Sequence, residues 1–127
     1  MVLVVEDDTP LRRMIAMFLR ATGYLVRTAE DGLAGLDLVR DELPDLVLLD
    51  LMMPGLDGWE VLRRLKGDAL TAAIPVLVLT ASVDAPLPEQ ALRLGATRFL
   101  AKPIDSRVLV EHVDAAVGQT EGQEERP

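Results

Sequence analysis

The sequence predicts an α/β fold in which a five-stranded parallel sheet is doubly wound, with helices on both faces. Three observations predict it. Four short runs, at 2–5, 46–49, 76–79 and 98–101, are apolar almost throughout instead of alternating. That is the pattern of strands covered on both faces. Helical periodicities separate the runs, so strand and helix alternate five times. Each run also stops at a polar residue of a different kind: Glu6-Asp7-Asp8, Asp50, Thr80 and Lys102-Pro103.

The elements follow in order. Val2-Leu3-Val4-Val5 is the first strand. Thr9-Pro10 predicts a helix start, a hydroxyl cap followed by proline in the first turn. That helix carries Leu11, Met14, Ile15, Phe18 and Leu19 on one face and ends at Gly23. Leu25-Val26-Arg27-Thr28 alternates and reads as a weaker, edge strand. A second helix begins after Asp31-Gly32, carries Leu33, Leu36, Leu38 and Val39, and ends before Pro44. Leu46-Val47-Leu48-Leu49 is the third strand. Asp57 caps a third helix bearing Val61, Leu62 and Leu65, which ends near Gly67. Val76-Leu77-Val78-Leu79 is the fourth strand. The fourth helix precedes Gly95. Pro86 and Pro88 are tolerated only in a first turn, so this helix starts late, near Pro88, and is short. Arg98-Phe99-Leu100-Ala101 is the fifth strand. The last helix follows Asp105 and carries Val108, Leu109, His112, Val113 and Val117. Residues 118–127 are polar, with two glycines and almost no apolar content, and read as a disordered tail or the stub of a linker.

The bulk numbers narrow the function. A chain of 127 residues suits one domain, placed here at 1–117. Half the residues are apolar and only 3% aromatic, so Leu, Val, Ala and Met build the core. Without cysteine there is neither a disulfide framework nor a thiolate metal site. A formal net charge of −8 argues against direct nucleic-acid binding by this domain. No apolar stretch approaches the roughly 20 residues of a membrane span. No charged leader precedes the first strand. The expectation is a soluble, cytoplasmic domain without membrane contact.

Open α/β sheets put their chemistry outside the carboxyl ends of the strands. In a doubly wound sheet of order 2-1-3-4-5, the first and third strands are neighbours, which crowds Glu6, Asp7 and Asp8 against Asp50. Like charges that close repel unless a cation lies between them. With no Cys and one His, the hard oxygen donors suit Mg²⁺. Asp7 is expected as a direct ligand and Glu6 as a ligand directly or through water. Asp50 would be shared between metal and reaction. The turn-rich loop 51–58 can aim a backbone carbonyl at the ion, that of Met52. Lys102 can reach an anion at the mouth, and the Thr80 hydroxyl can donate to it. A carboxylate, a divalent cation, a lysine and a hydroxyl make a phosphoryl-transfer site with the carboxylate as nucleophile.

Together, Val4-Val5-Glu6-Asp7-Asp8, Leu48-Leu49-Asp50-Leu51-Met52-Met53-Pro54-Gly55, Leu79-Thr80-Ala81, and Gly95-Ala96 followed by Lys102-Pro103 closely resemble the receiver domain of a two-component response regulator. The resemblance covers residue 2 to about 117. It implies the flavodoxin-like strand order 2-1-3-4-5 and phosphorylation of Asp50 by the phosphohistidine of a histidine kinase. It further implies Mg²⁺ held by Glu6, Asp7, Asp50 and the Met52 carbonyl, with Lys102 on the phosphoryl group. Thr80 and Phe99 fall at the switch pair, and Pro103 at a proline usually cis. The implied output is a rearrangement of the face formed by the fourth helix, fifth strand and fifth helix. The implied partners are a sensor histidine kinase or phosphotransfer protein, a downstream effector domain or protein, and a second copy of the chain in a homodimer. The chain would catalyse only its own phosphorylation and dephosphorylation and is not an enzyme in the ordinary sense. Three features depart from the pattern: a third acid, Asp8, the prolines of the fourth helix, and Ile104, which follows Lys102-Pro103 where an aromatic is common. Nothing in the fifth helix carries the charge pattern of the transcription-factor branch.

Simpler readings exist for each residue taken singly. Asp50 could be a strand-end carboxylate in an exposed turn. The acid triplet could favour a helix dipole, and Phe99 could be core. Three other functions compete. A degenerate receiver that only binds proteins would not need the intact acid, hydroxyl and lysine set. An aspartyl-phosphate hydrolase needs a second acid two residues after the nucleophile, where Met52 stands. A mononucleotide-binding flavoprotein needs a glycine-rich phosphate loop and stacking aromatics, which the chain lacks.

Overall fold

The computed structural model describes residues 1–81 and 87–125. Five strands, β1 (Val2–Val5), β2 (Val26–Ala29), β3 (Leu46–Asp50), β4 (Val76–Thr80) and β5 (Arg98–Ala101), alternate with five helices. The helices are α1 (Thr9–Ala21), α2 (Gly32–Glu42), α3 (Gly58–Gly67), α4 (Leu87–Arg93) and α5 (Ser106–Glu125). The sheet is parallel throughout, in the order β2-β1-β3-β4-β5.

Parallel strands covered on both faces need two cores, and the apolar runs supply both. Leu3, Val5, Val47, Leu49, Val76 and Val78 point to one face, where Leu36, Val39, Val61, Leu62, Leu65 and Ala91 of α2, α3 and α4 cover them. Val2, Val4, Leu46, Leu48, Leu77 and Leu79 point to the other and meet Ile15, Ala16 and Leu19 of α1 and Leu109, Val113 and Ala116 of α5. Each such side chain contributes roughly 1.5–3 kcal/mol when fully buried. Among the three central strands, the only charged residue is Asp50, at the end of β3.

Several element details differ from the sequence expectation. Asp8, not Thr9, is the N-cap of α1, and it makes no side-chain capping bond. Thr9 is the first helical residue, and its hydroxyl accepts a hydrogen bond from Arg12. The buried stripe of α1 is Ile15, Ala16 and Leu19, whereas Met14 is 38% exposed. The helix ends as expected before Gly23, whose φ of +103° lets the Gly23 and Tyr24 amides fold back onto the carbonyls of Arg20 and Leu19. The edge strand begins at Val26, because Leu25 is 77% exposed. Arg27 and Thr28 are both exposed, so β2 does not alternate. On α2 Leu33 faces solvent, and Gly32 and Gly35 are buried instead. That helix lies too close to β1 for a larger side chain at 35. Helix α4 has seven residues, as short as the prolines require. Pro88 lies in its first turn; Pro86 and Ser82 fall outside the described residues. The backbone of α5 stays helical to Glu125, past the expected boundary at 117. No helix among the described residues is long and apolar enough to cross a membrane.

Candidate functional site

The carboxyl ends of β1, β3, β4 and β5 are contiguous along one sheet edge, and each delivers one polar group. Glu6 lies one residue beyond β1, Asp50 ends β3, Thr80 ends β4, and Lys102 lies one residue beyond β5. Register sets their depth: Val5 pairs with Leu49, Asp50 with Leu79, and Thr80 with Ala101. Glu6, Asp50 and Thr80 are buried, while Asp7 and Asp8 are exposed.

Lys102 ties the acids together. Its Nζ donates to Asp50 Oδ2 at 3.0 Å and lies 2.6 Å from Glu6 Oε1. The second contact is an ion pair that holds the buried Glu6 Oε1 against the ammonium. The other oxygens are oriented by backbone. Asp50 Oδ1 accepts from the Met52 amide at 3.0 Å, and Glu6 Oε2 accepts from the Asp8 amide at 3.2 Å. Burial pushes the Glu6 carboxyl up to about 7, with the neighbouring Asp50 adding to the rise and Lys102 opposing it. For Lys102, burial works to lower the ammonium, but the two carboxylates outweigh it and hold the pKa above the usual lysine value.

Glu6, Asp7 and Asp50 each offer a carboxylate oxygen within 4.8 Å of the others. All are hard donors, and one faces solvent. Two close carboxylates share a single lysine, so the cluster keeps an excess of negative charge. This donor set fits Mg²⁺, which takes oxygen ligands and retains water. The third acid, Asp8, stands outside the cluster and contributes its amide instead.

The remaining residues fall as follows. Met52 is held beside Asp50 through its amide, and its side chain is 58% exposed. Thr80 is tied to the lysine through backbone, since the Lys102 amide donates to the Thr80 carbonyl at 2.8 Å. The Lys102–Pro103 peptide bond is cis. Phe99 pairs in register with Val78 and packs, half-buried, against the core on the α2, α3 and α4 face. Trp59, on α3, lines an open cleft of about 440 Å³ with Leu51, Met52, Met53 and Asp57. His112 lies on α5 and is no part of the acidic cluster.

Sequence reasoning misses two residues that shape this site. Gly58 opens α3 and approaches the backbone of Asp50 and Leu51 so closely that a Cβ would have no room. Arg12 donates to the carbonyls of Glu6 and Asp7. An arginine one turn into the helix that follows an acid run was the available signal.

Comparison with known proteins identifies the family. Residues 2–114 match the model of the response regulator receiver domain. The phosphate regulon transcriptional regulatory protein PhoB of Pseudomonas aeruginosa is 40% identical over 127 residues, covering 99% of this chain and 56% of the relative. The transcriptional regulatory protein CseB of Streptomyces avermitilis is 37% identical over 129 residues, covering 99% of this chain and 54% of the relative. The chain thus spans about half the length of these curated relatives. Protein PilH of Pseudomonas aeruginosa is 38% identical over 117 residues, covering 91% of this chain and 96% of PilH. Two of these relatives bear the name of transcriptional regulators. Among solved structures, the Francisella response regulator 1452 receiver domain superposes with a TM-score of 0.88 at 28% identity, covering 94% of this chain and 97% of that one. Chemotaxis protein CheY4 of Vibrio cholerae superposes at 0.86, also at 28% identity, covering 91% and 96%. The chain belongs to the response regulator receiver domain family of two-component signalling.

Proposed function

We propose that Asp50 accepts a phosphoryl group from the phosphohistidine of a sensor histidine kinase or phosphotransfer protein. The observation that carries this reading is the pinning of one strand-end carboxylate from two sides. Lys102 Nζ lies 3.0 Å from Oδ2 and the Met52 amide 3.0 Å from Oδ1. Such a group is aimed before its partner arrives, which removes orientational cost from the barrier. An Asp50 oxygen bonds to phosphorus as the bond from phosphorus to the imidazole nitrogen breaks. Lys102 then turns from the carboxylates to the phosphoryl oxygens, and the Thr80 hydroxyl donates to the same group. Held by Glu6, Asp7, Asp50 and the Met52 carbonyl, Mg²⁺ would supply neutralisation of charge on the phosphoryl oxygens. Withdrawal of Thr80 opens space for Phe99, and the α4–β5–α5 face changes with them. The chain acts on itself and converts no separate metabolite.

The wider reading is of a cytoplasmic receiver unit at 1–117, with 118–127 leading as a linker toward an effector domain or protein. Phosphorylation would favour a homodimer, and the domain itself would not touch nucleic acid. The test is to mix the protein with Mg²⁺ and acetyl phosphate and weigh it intact. A gain of one phosphoryl group that vanishes in Asp50→Asn is the expected result. No gain leaves a protein-binding module without chemistry, and turnover of donor in large excess indicates a hydrolase.

A further inference from the structure

We infer that Arg12 is a positioning residue for the cation site: it restrains the acid loop through its backbone and leaves the carboxylates free. The inference rests on the reading of Glu6 and Asp7 as metal ligands. Residues 6–9 carry the chain from β1 into α1; the Glu6 amide still donates to the Ala29 carbonyl at 3.1 Å, but Asp7 and Asp8 lie beyond the ladder. Arg12 gathers all four. Its Nη1 donates to the Glu6 carbonyl at 2.8 Å and to the Asp7 carbonyl at 3.4 Å. Its Nη2 donates to Thr9 Oγ1 at 3.2 Å, and its own amide donates to the Asp8 carbonyl at 2.8 Å.

The choice of acceptors is informative. Although Arg12 follows a loop of three acids, among the described residues it forms no ion pair with any acid. Lys102, by contrast, takes two carboxylates. The planar guanidinium spends its fixed fork on carbonyls. Pinning the Glu6 and Asp7 carbonyls fixes the peptide planes on either side of Asp7, and so the directions in which both side chains leave the chain. Without that restraint, mutual repulsion would splay the acids, and a cation would have to gather them on binding. A group that orients ligands from behind typically changes metal affinity by roughly 10–100-fold when removed.

A competing electrostatic effect has the opposite sign. A fixed positive charge near the loop repels a cation, so if charge dominated, removing Arg12 would tighten binding. The experiment therefore reads both magnitude and direction. Mn²⁺ is titrated into wild type, Arg12→Ala and Arg12→Lys, with free ion followed by electron paramagnetic resonance. Phosphorylation by acetyl phosphate is measured against Mg²⁺ concentration in parallel. The expected result is roughly tenfold weaker Mn²⁺ binding in Arg12→Ala. The half-saturating Mg²⁺ should rise by the same factor, and the rate at saturating Mg²⁺ should stay within about twofold. Arg12→Lys keeps the charge but loses the fork, and should fall between the two. Unchanged or tighter binding in Arg12→Ala overturns the inference, as does a lowered plateau with an unchanged half-saturation. If Arg12→Ala does not fold, Arg12→Lys decides: wild-type affinity overturns the inference and weakened affinity supports it. Failure of wild type itself to bind Mn²⁺ would remove the underlying metal reading, a different outcome from equal binding by all three proteins.

Discussion

Replacing Gly58 by alanine should disturb Asp50 without touching any charged group. Gly58 is the first residue of α3, and its amide donates to the Leu51 carbonyl at 3.0 Å. A Cβ built there lies 2.3 Å from the Asp50 carbonyl oxygen and 2.4 Å from the Leu51 Cα. Both neighbours are backbone, so no side chain can swing aside. Ordinary carbon contacts begin near 3.5 Å, so the two segments must part by about 1 Å. Overpacking of this kind costs about 1–3 kcal/mol. At roughly 3–5 °C per kcal/mol for a chain of this size, Tm should fall by about 3–15 °C. The chemistry should suffer more than the fold. A shift of about 1 Å in a reacting group costs on the order of 100-fold in rate, and it would open the 3.0 Å contact between Asp50 and Lys102. Thermal unfolding by circular dichroism gives the first quantity, and the initial rate of phosphorylation by acetyl phosphate, followed as intact mass well below Tm, gives the second. Gly67→Ala is the control, because nothing lies within 4 Å of its Cβ position at the end of the same helix. It should be neutral or more stable by up to about 1 kcal/mol. Wild-type Tm and rate in Gly58→Ala would refute the reasoning, as would an equal loss in Gly67→Ala.

Other substitutions separate the core, the site and the caps. Leu62, fully buried beneath the sheet, should cost about 2–5 kcal/mol when replaced by alanine, measured by urea unfolding with an unchanged slope. Lys102→Ala leaves Glu6 and Asp50 buried without their shared cation. In chelator it should lose about 1–3 kcal/mol, and added Mg²⁺ should raise its Tm by more than it raises that of wild type. Asp31 caps α2 by accepting from the Ala34 amide at 2.8 Å. Asp31→Ala should cost about 1 kcal/mol and leave the phosphorylation rate within about twofold, since the cap lies on another helix from every proposed site residue.

Much of this arrangement was legible in the sequence because strand ends need no side-chain geometry to be located. A run such as Leu46-Val47-Leu48-Leu49 announces a strand buried on both faces, and the residue that breaks it must stand at the edge. That places Glu6, Asp50, Thr80 and Lys102 along one line once the strand order is known. What the sequence hid depends on distances between elements. Leu33 fits the periodicity of α2 as well as Leu36 does, yet it is exposed, because the helix presses on β1 through Gly35. Composition cannot announce that a glycine is the point of contact. Thr9 looks like a cap because its type suits one, but Arg12 takes its hydroxyl and Asp8 becomes the N-cap. The same hidden term conceals Arg12: its donors go to backbone carbonyls, which every residue carries, so no pairing of residue types reveals it.

Asp50 lies on the central strand, with two strands on either side, so what those strands carry decides where a new charge at Asp50 can be felt. Asp50 ends β3, a central strand bonded to β1 on one side and β4 on the other. Glu6 follows β1, bonded to β2 and β3. Moving either backbone would break two ladders and disturb both cores. On the other side of Asp50 the ladders are the same in number, and the difference lies in the groups that the strands carry. Thr80 ends β4, and the strand beyond it, β5, is an edge with a single partner. The Lys102 amide is fixed to the Thr80 carbonyl at 2.8 Å, so the backbones bearing the lysine and the hydroxyl are coupled. Lys102 also loses its two carboxylate partners to the degree that a phosphoryl group attracts it. The lowest-energy response therefore lies in rotation of the Thr80 side chain and adjustment of β5, with Phe99 carried on that same edge strand and the seven-residue α4 beside it. A long, well-capped helix at that position would resist, as would a second strand outside β5. Both edges of the sheet, β2 and β5, are free, so the coupling of Lys102 to Thr80 and the short α4 are what set the β5 side apart, and this is why the proposed signal should leave the domain at β5 and its flanking helices instead of through α1 or α2.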